Sequence, residues 1–262
     1  MKQTQKLQVI DPVFEHAVDE YAESIIEMEK EEFRPGLETF ESHAAKIKSK
    51  VSETMHAFYD SYTHGYNVLL DELAKMLPVT DPAVDPLEPF KAKAENIKKL
   101  DDPVEFMNFL NAGHSIYELL GFTYEAVCKF YEAGIHLVEQ KRFEDARDGF
   151  YFLVTIAPLV GEAWLALGYA YAECKQQDAA IQACAHAVDL MPNKPDAYLT
   201  FARVFIEMQD FEQAKKVCEV GLSYASEHAK EAWAKELITY LEEGKRQIDV
   251  LFQKSQYQSY SS

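Results

Sequence analysis

Trp164-Leu165-Ala166-Leu167-Gly168-Tyr169-Ala170-Tyr171 spells W-x2-L-G-x2-Y, a large–small–large order suited to one helix of a packed pair. Ala180 follows sixteen residues after Trp164, Cys184 four further on, and Pro192 closes the unit. Shifted back by 34, the same slots hold Phe130, Ala133, Gly134, Leu137, Ala146, Phe150 and Pro158. Shifted forward by 34, they hold Tyr198, Phe201, Ala202, Phe205, Ala214, Cys218 and Gly221. A period of this length, kept in register three times, marks stacked helix–turn–helix pairs that bury their apolar faces against one another.

The slots have a packing logic. Gly134, Gly168 and Ala202 lie on the first helix of each pair, where a larger side chain would push the second helix away. Ala146, Ala180 and Ala214 answer them from the facing helix. The aromatic and long apolar residues fill the space between pairs. Pro158 and Pro192 end the second helices, because proline has no backbone donor to continue them. Ser226 stands in that slot of the third unit, so its last helix is expected to run on.

Composition narrows the class. The chain has 262 residues, 48% of them hydrophobic, with only 10 Gly and 10 Pro, which suits a folded and mainly helical protein. A formal charge of −18 argues against nucleic acid, whose phosphates need clustered Lys and Arg. The same charge repels anionic membranes. Leu7, Val9 and Ile10 make too short an apolar run for a signal peptide or a membrane span. Cys128, Cys174, Cys184 and Cys218 show no C-x-x-C spacing and are expected to be reduced, buried thiols in a cytoplasmic protein.

The spacing of helix signals predicts an all-α chain in three parts: a helical hairpin over 1–77, a Pro-rich linker over 78–92, and a repeat domain over 93–262. Asp11-Pro12 opens the first helix, with Asp as cap and Pro at the first helical position. Phe14, Ala17, Tyr21, Ile25 and Met28 line one face, and Arg34-Pro35-Gly36 breaks it. A second apolar stripe follows from Phe40 to Met76, long enough that the helix either breaks near Gly65 or lies along a partner. That partner is the first helix, the repeats, or a second subunit in a homodimer. Pro78, Pro82, Pro86 and Pro89 make the linker semi-extended. Lead-in helices occupy 90–120, with Asp102-Pro103 as a start signal. Lys230 to about Lys254 carries Trp233, Leu237, Leu241 and Ile248 as a capping helix for the solenoid. The tail from Ser255 to Ser262 is polar and is expected to be disordered.

Catalytic signatures are missing. No phosphate-binding glycine loop, H-E-x-x-H pair or nucleophile elbow occurs. Glu53-x-x-His56 has the carboxylate–histidine spacing of di-iron bundles, but a second such pair is not evident. The chain is therefore expected not to be an enzyme, and to need no metal and no cofactor.

Helical spacing from the repeat slots assigns a concave face. It comprises Cys128, Tyr131, Ile135 and Val138 in the first repeat, Leu165, Tyr169 and Ala172 in the second, and Leu199, Arg203 and Ile206 in the third. Such a face is largely apolar, and suits an extended apolar peptide whose backbone meets the tyrosine hydroxyls. The alternative is that one of the chain's own terminal helices fills it. A carboxylate clamp built of Lys and Asn is absent: Tyr131 and Ile135 stand there in the first repeat, Asp196 and Thr200 in the third.

The repeat itself is that of tetratricopeptide (TPR) proteins. Over about residues 105–225 the chain further resembles the type III secretion chaperones of translocator proteins. The resemblance rests on Ile116-Tyr117-Glu118-Leu119-Leu120-Gly121-Phe122, Phe130-Tyr131-Glu132-Ala133-Gly134, Lys141-Arg142-Phe143-Glu144-Asp145-Ala146 and Asp178-Ala179-Ala180-Ile181. It implies a cytoplasmic chaperone that holds an unfolded segment of an export substrate, with Tyr131, Leu165, Tyr169 and Leu199 in contact with it. Those chaperones begin with a short dimerising helical arm, and the first 100 residues here depart from that pattern. The alternative function is an adaptor whose groove takes one partner and whose hairpin takes another.

Overall fold

The computed structural model describes residues 12–30, 33, 39–78, 84–93 and 108–259. Among these there is no strand. The helices are α1 (Pro12–Lys30), α2 (Phe40–Met76), the single turn α3 (Ile116–Leu119), α4 (Tyr124–Glu139), α5 (Phe143–Ile156), α6 (Gly161–Glu173), α7 (Gln177–Leu190), α8 (Pro195–Glu207), α9 (Phe211–Glu227) and α10 (Ala232–Ser259). A 3-10 turn, Glu88–Phe90, lies between α2 and α3.

The three repeats are α4/α5, α6/α7 and α8/α9, and the small-residue slots work as expected. A Cβ on Gly134 would come within 2.6 Å of the Phe150 ring, and one on Gly168 within 2.5 Å of Cys184 Sγ. The turns inside the repeats are copies of one another. Lys141, Lys175 and Gln209, spaced by the same 34 residues, have φ of 59°, 62° and 61°. At each, two backbone N–H groups return to the preceding helix: Lys141 to Val138 and Arg142 to Leu137, Lys175 to Ala172 and Gln176 to Tyr171, Gln209 to Ile206 and Asp210 to Phe205. These bonds satisfy the last carbonyls of the first helix, and the left-handed residue reverses the chain. α9 runs on past the proline slot to Glu227, as Ser226 predicts.

Aromatic residues tie one repeat to the next. Trp164 Nε1 donates to the Pro158 carbonyl at 2.8 Å. One period later, the Tyr198 hydroxyl donates to the Pro192 carbonyl at 3.0 Å. Each proline thus ends one helix and leaves its carbonyl for the side chain that opens the next.

α2 is unbroken at Gly65. Its first half pairs with α1, where His43 meets Glu29 at 2.7 Å and Lys48 meets Glu23 at 3.1 Å across an antiparallel hairpin. Its second half packs on the first repeat. Gly65 is why the approach is so close: a Cβ there would overlap the Asp148 carbonyl on α5, and Gly149 leaves room for Leu69. Leu69 and Leu73 are fully buried in one core with Phe130, Phe150, Phe152 and Leu137. The core therefore runs across the boundary drawn at 78–92. Phe90, inside the expected linker, is buried 5.7 Å from the Phe130 ring. Tyr66 pins that segment to α2, donating to the Phe90 carbonyl at 3.0 Å and accepting from Ala92 N at 2.9 Å.

One carboxylate locks this joint. The Glu72 side chain is 0% exposed and accepts from His136 Nδ1 at 2.6 Å, Gln140 Nε2 at 2.7 Å, Lys75 Nζ at 2.7 Å and Arg142 at 3.1 Å. Burial pushes its pKa up, but the hydrogen bonds from Lys75, Gln140 and His136 outweigh that and hold it at about 2.

At the other end, α10 covers α8 and α9, with Leu237, Leu241 and Ile248 buried against Tyr198, Val217 and Cys218. It fills the capping role, but the tail differs from expectation. Residues 255–259 continue the helix, since that stretch holds neither Gly nor Pro to stop it. The expected break at Arg34-Pro35-Gly36, the start at Asp102-Pro103 and residues 260–262 lie outside the described residues. Cys184 and Cys218 are buried, and burial pushes their thiols to about 12 and about 11. Cys128 is exposed and Cys174 half-buried, contrary to the expectation of four buried thiols: Cys128 lies off the core stripe of α4, and Cys174 caps the end of α6.

Candidate peptide-binding groove

The expected row lies on the first helices α4, α6 and α8, and its members differ in burial. Cys128 is exposed. Tyr131, Ile135 and Val138 are half-buried, with their inner edges on the first-repeat core. Leu165 is half-buried against Ala187, Met191 and Ala197. Ala172 is buried with Ala180, Cys184 and Val204, so it serves the joint between the second and third repeats. In the third repeat, Leu199 and Ile206 pack on the C-terminal core. α10 crosses so near that a Cβ on Gly244 would lie 2.6 Å from Leu199 Cδ2. The chain's own C-terminal helix thus occupies that end, while α4 packs chiefly on α5 and α2, and α6 on α7 and α5.

Tyr169 and Arg203 form the polar centre. The guanidinium lies 4.9 Å from the Tyr169 ring centroid and bonds Glu173 at 3.2 Å and Glu207 at 3.2 Å. Burial raises the Tyr169 pKa, and the bond to Glu173 raises it further. Tyr131 is also shifted up, by burial and then by the charge of Glu162 on the adjacent helix. Both hydroxyls remain protonated donors. The sequence reading missed the acidic partners Glu162, Glu173 and Glu207; counting in steps of 34 finds Glu173 and Glu207 in one slot.

No group of three His, Cys, Asp or Glu side chains among the described residues is placed to hold a metal ion. His56 Nδ1 lies 2.7 Å from the carbonyl of Ser52 on its own helix. No described helix is long and apolar enough to cross a membrane.

A tetratricopeptide-repeat family profile matches residues 175–235. No curated protein matches the chain. Similar solved structures include a T3SS complex from Aeromonas hydrophila, 17% identical over 59% of this chain and 99% of that one, with a TM-score of 0.48. The type III secretion translocator chaperone SycD of Yersinia enterocolitica is 17% identical over 51% of this chain and 97% of its own, with a TM-score of 0.44. The TPR2B domain of yeast Sti1, in a complex with pHsp70, is 17% identical over 46% of this chain and 97% of its own, with a TM-score of 0.37. Residues 175–235 thus carry a tetratricopeptide-repeat match, and the regular elements among the described residues are all helical. Arrays of this class present extended concave surfaces for binding protein.

Proposed function

We propose that the array is a chaperone that holds an extended apolar segment of a secreted translocator or effector in the cytoplasm before export. The observation that carries this reading is the row Tyr131, Ile135, Leu165 and Tyr169. These are large apolar or aromatic side chains, half-buried on α4 and α6. A segment laid across them buries its side chains between α4 and α6 and meets two tyrosine hydroxyls with its backbone. The assignment to export rests on the resemblance of residues 105–225 to translocator chaperones.

The test is Leu165→Glu with Tyr169→Glu in the full chain. Partners co-purified from the native cell and identified by mass spectrometry should be lost, while helicity and melting temperature stay close to wild type. Retention of those partners by the folded double variant would remove the groove from the mechanism.

One observation supports the adaptor reading. Among the residues of α2 from 40 to 61 whose side chains are described, none is buried, so the hairpin stands outside the repeat core. Under that reading, a second set of partners survives the groove variants and is lost when α1 is deleted.

A further inference from the structure

Tyr169 is half-buried in the expected concave row, yet both its ring and its hydroxyl are engaged by the chain itself. The hydroxyl bonds the Glu173 carboxylate one turn along α6. Phe143, the first residue of α5, meets the ring edge-on with 6.3 Å between centroids. The guanidinium of Arg203 lies 4.9 Å from the ring centroid.

Arg203 comes from the next repeat. It stands 34 residues after Tyr169, in the slot that Ile135 and Tyr169 fill in the first two repeats. Its side chain is 54% exposed, so burial does not dictate where its head points. An arginine at such a site ordinarily lays its stem on the surface and leaves its head in water. Here the head reaches back from α8 to α6. It donates to Glu173 at 3.2 Å and to Glu207 on its own helix at 3.2 Å. Charge-assisted bonds and the attraction of the ring face hold it there. Because the guanidinium is exposed, each of these ion pairs is weak alone and is screened by salt. Together they make a clasp that can open.

We propose that Arg203 is a latch over Tyr169, closed in the free chain and swung aside when a segment enters the groove. This rests on the reading of the concave face as a peptide groove, and adds a gate to it. Tyr169 then becomes available to an occupant only with the latch open. Arg203 competes with the occupant instead of holding it. Opening turns only the arginine side chain, and leaves α6 and α8 packed through Ala172 and Val204. The apparent affinity of whatever binds beneath a latch is lowered by the fraction of time the latch is open.

The test uses a labelled synthetic peptide of alternating leucine and serine, uncharged at both ends, whose Kd for the full chain is read by fluorescence polarisation. At about 0.05 M salt, where the ion pairs are little screened, Arg203→Met should bind it about fivefold tighter than wild type. That gap corresponds to a latch open about a fifth of the time. Glu207→Gln removes one of the two anchors, keeps the arginine, and should tighten binding about twofold. Lys216→Met takes the same charge from an exposed site on α9 and should change nothing. At about 0.5 M salt the gap between wild type and Arg203→Met should shrink, because salt loosens the latch of the wild type. Equal affinities of wild type and Arg203→Met, weaker binding by Arg203→Met, or a gap that holds at high salt overturns the latch and leaves the groove standing. If Arg203→Met loses helicity, Glu207→Gln decides alone, and unchanged binding by that variant overturns the latch. Failure of the peptide to bind any of the four proteins removes the groove reading and the proposal with it.

Discussion

Gly65 of α2 lies with its backbone against the carbonyl of Asp148 on α5, leaving no room between the two helices for a Cβ. A methyl group there meets main chain, which cannot rotate away. Gly65→Ala ordinarily gains about 0.5–1 kcal/mol of helix propensity. Here the overlap should reverse the sign and cost about 1–3 kcal/mol. A urea midpoint that rises in the variant would show that α2 does not pack on α5 in this way.

Glu72 makes the same joint sensitive to acid. Its carboxyl is held at about 2 in the folded protein, below its usual 4.5. A depressed carboxyl contributes stability that is fully present above the unfolded value and is lost as pH falls toward the folded one. Between about pH 5 and pH 2 the wild type should therefore lose on the order of 3 kcal/mol through this group. Glu72→Gln should be less stable at pH 7 and should titrate less steeply over that window. Parallel denaturation curves for the two proteins from pH 7 to pH 3 would refute this role.

The three left-handed turn residues are open to improvement. Lys141, Lys175 and Gln209 hold positive φ with a side chain attached, a conformation glycine adopts without steric cost. Lys141→Gly, Lys175→Gly and Gln209→Gly should each stabilise by about 0.5–1 kcal/mol, and the gains should nearly add because each turn's backbone bonds stay within its own repeat. Calorimetry of the triple variant checks this. A lowered melting temperature would mean that the lysine stems matter more than the turn.

Trp164 and Tyr198 should behave as a pair. Trp164→Phe and Tyr198→Phe keep most of the packing and delete the donor to Pro158 and Pro192 respectively, each at about 1 kcal/mol. Trp164→Ala removes packing as well and should cost about 3 kcal/mol, at the lower end for large core residues because the ring is only half-buried. Equal losses for Phe and Ala at position 164 would assign the whole effect to the hydrogen bond.

Proteolysis tests how independent the hairpin is. Pro78 to Pro89 is expected to be cut first, as the sequence suggests. The sequence alone also predicts that a fragment starting at Phe90 folds by itself. Leu69 and Leu73, however, sit fully buried among Phe130, Phe150 and Leu137. After the cut, the two pieces should therefore elute together from a sizing column. Separation into two folded fragments would restore the division at residues 78–92.

The repeats were legible because their signal is periodic: Gly168 against Cys184, and Trp164 above Pro158, each have counterparts one period away. The capping helix was legible for the same reason, since an array must end in a one-sided helix. What was not legible depends on single contacts between distant elements. Gly65 reads in sequence as a weak point in a helix, and only Asp148, 83 residues later, explains it. Glu72 reads as a surface acid and becomes buried through His136 and Arg142 from another helix. In the groove, spacing found the helix faces but not what covers them. Ala172 follows the same rule as Tyr169 yet lies at a joint between repeats, and Leu199 is taken by α10.

An unbroken α2 also gives the molecule a mechanical property. From Phe40 to about Tyr59 it extends beyond the repeats for about 30 Å, at 1.5 Å per residue. Its other end is clamped at Gly65 and Glu72. It is a lever arm with its fulcrum at the first repeat, and α1 stiffens it along its length. A load applied at the hairpin tip is therefore delivered as torque to α5 and α4, the latter being the helix that carries Tyr131 and Ile135.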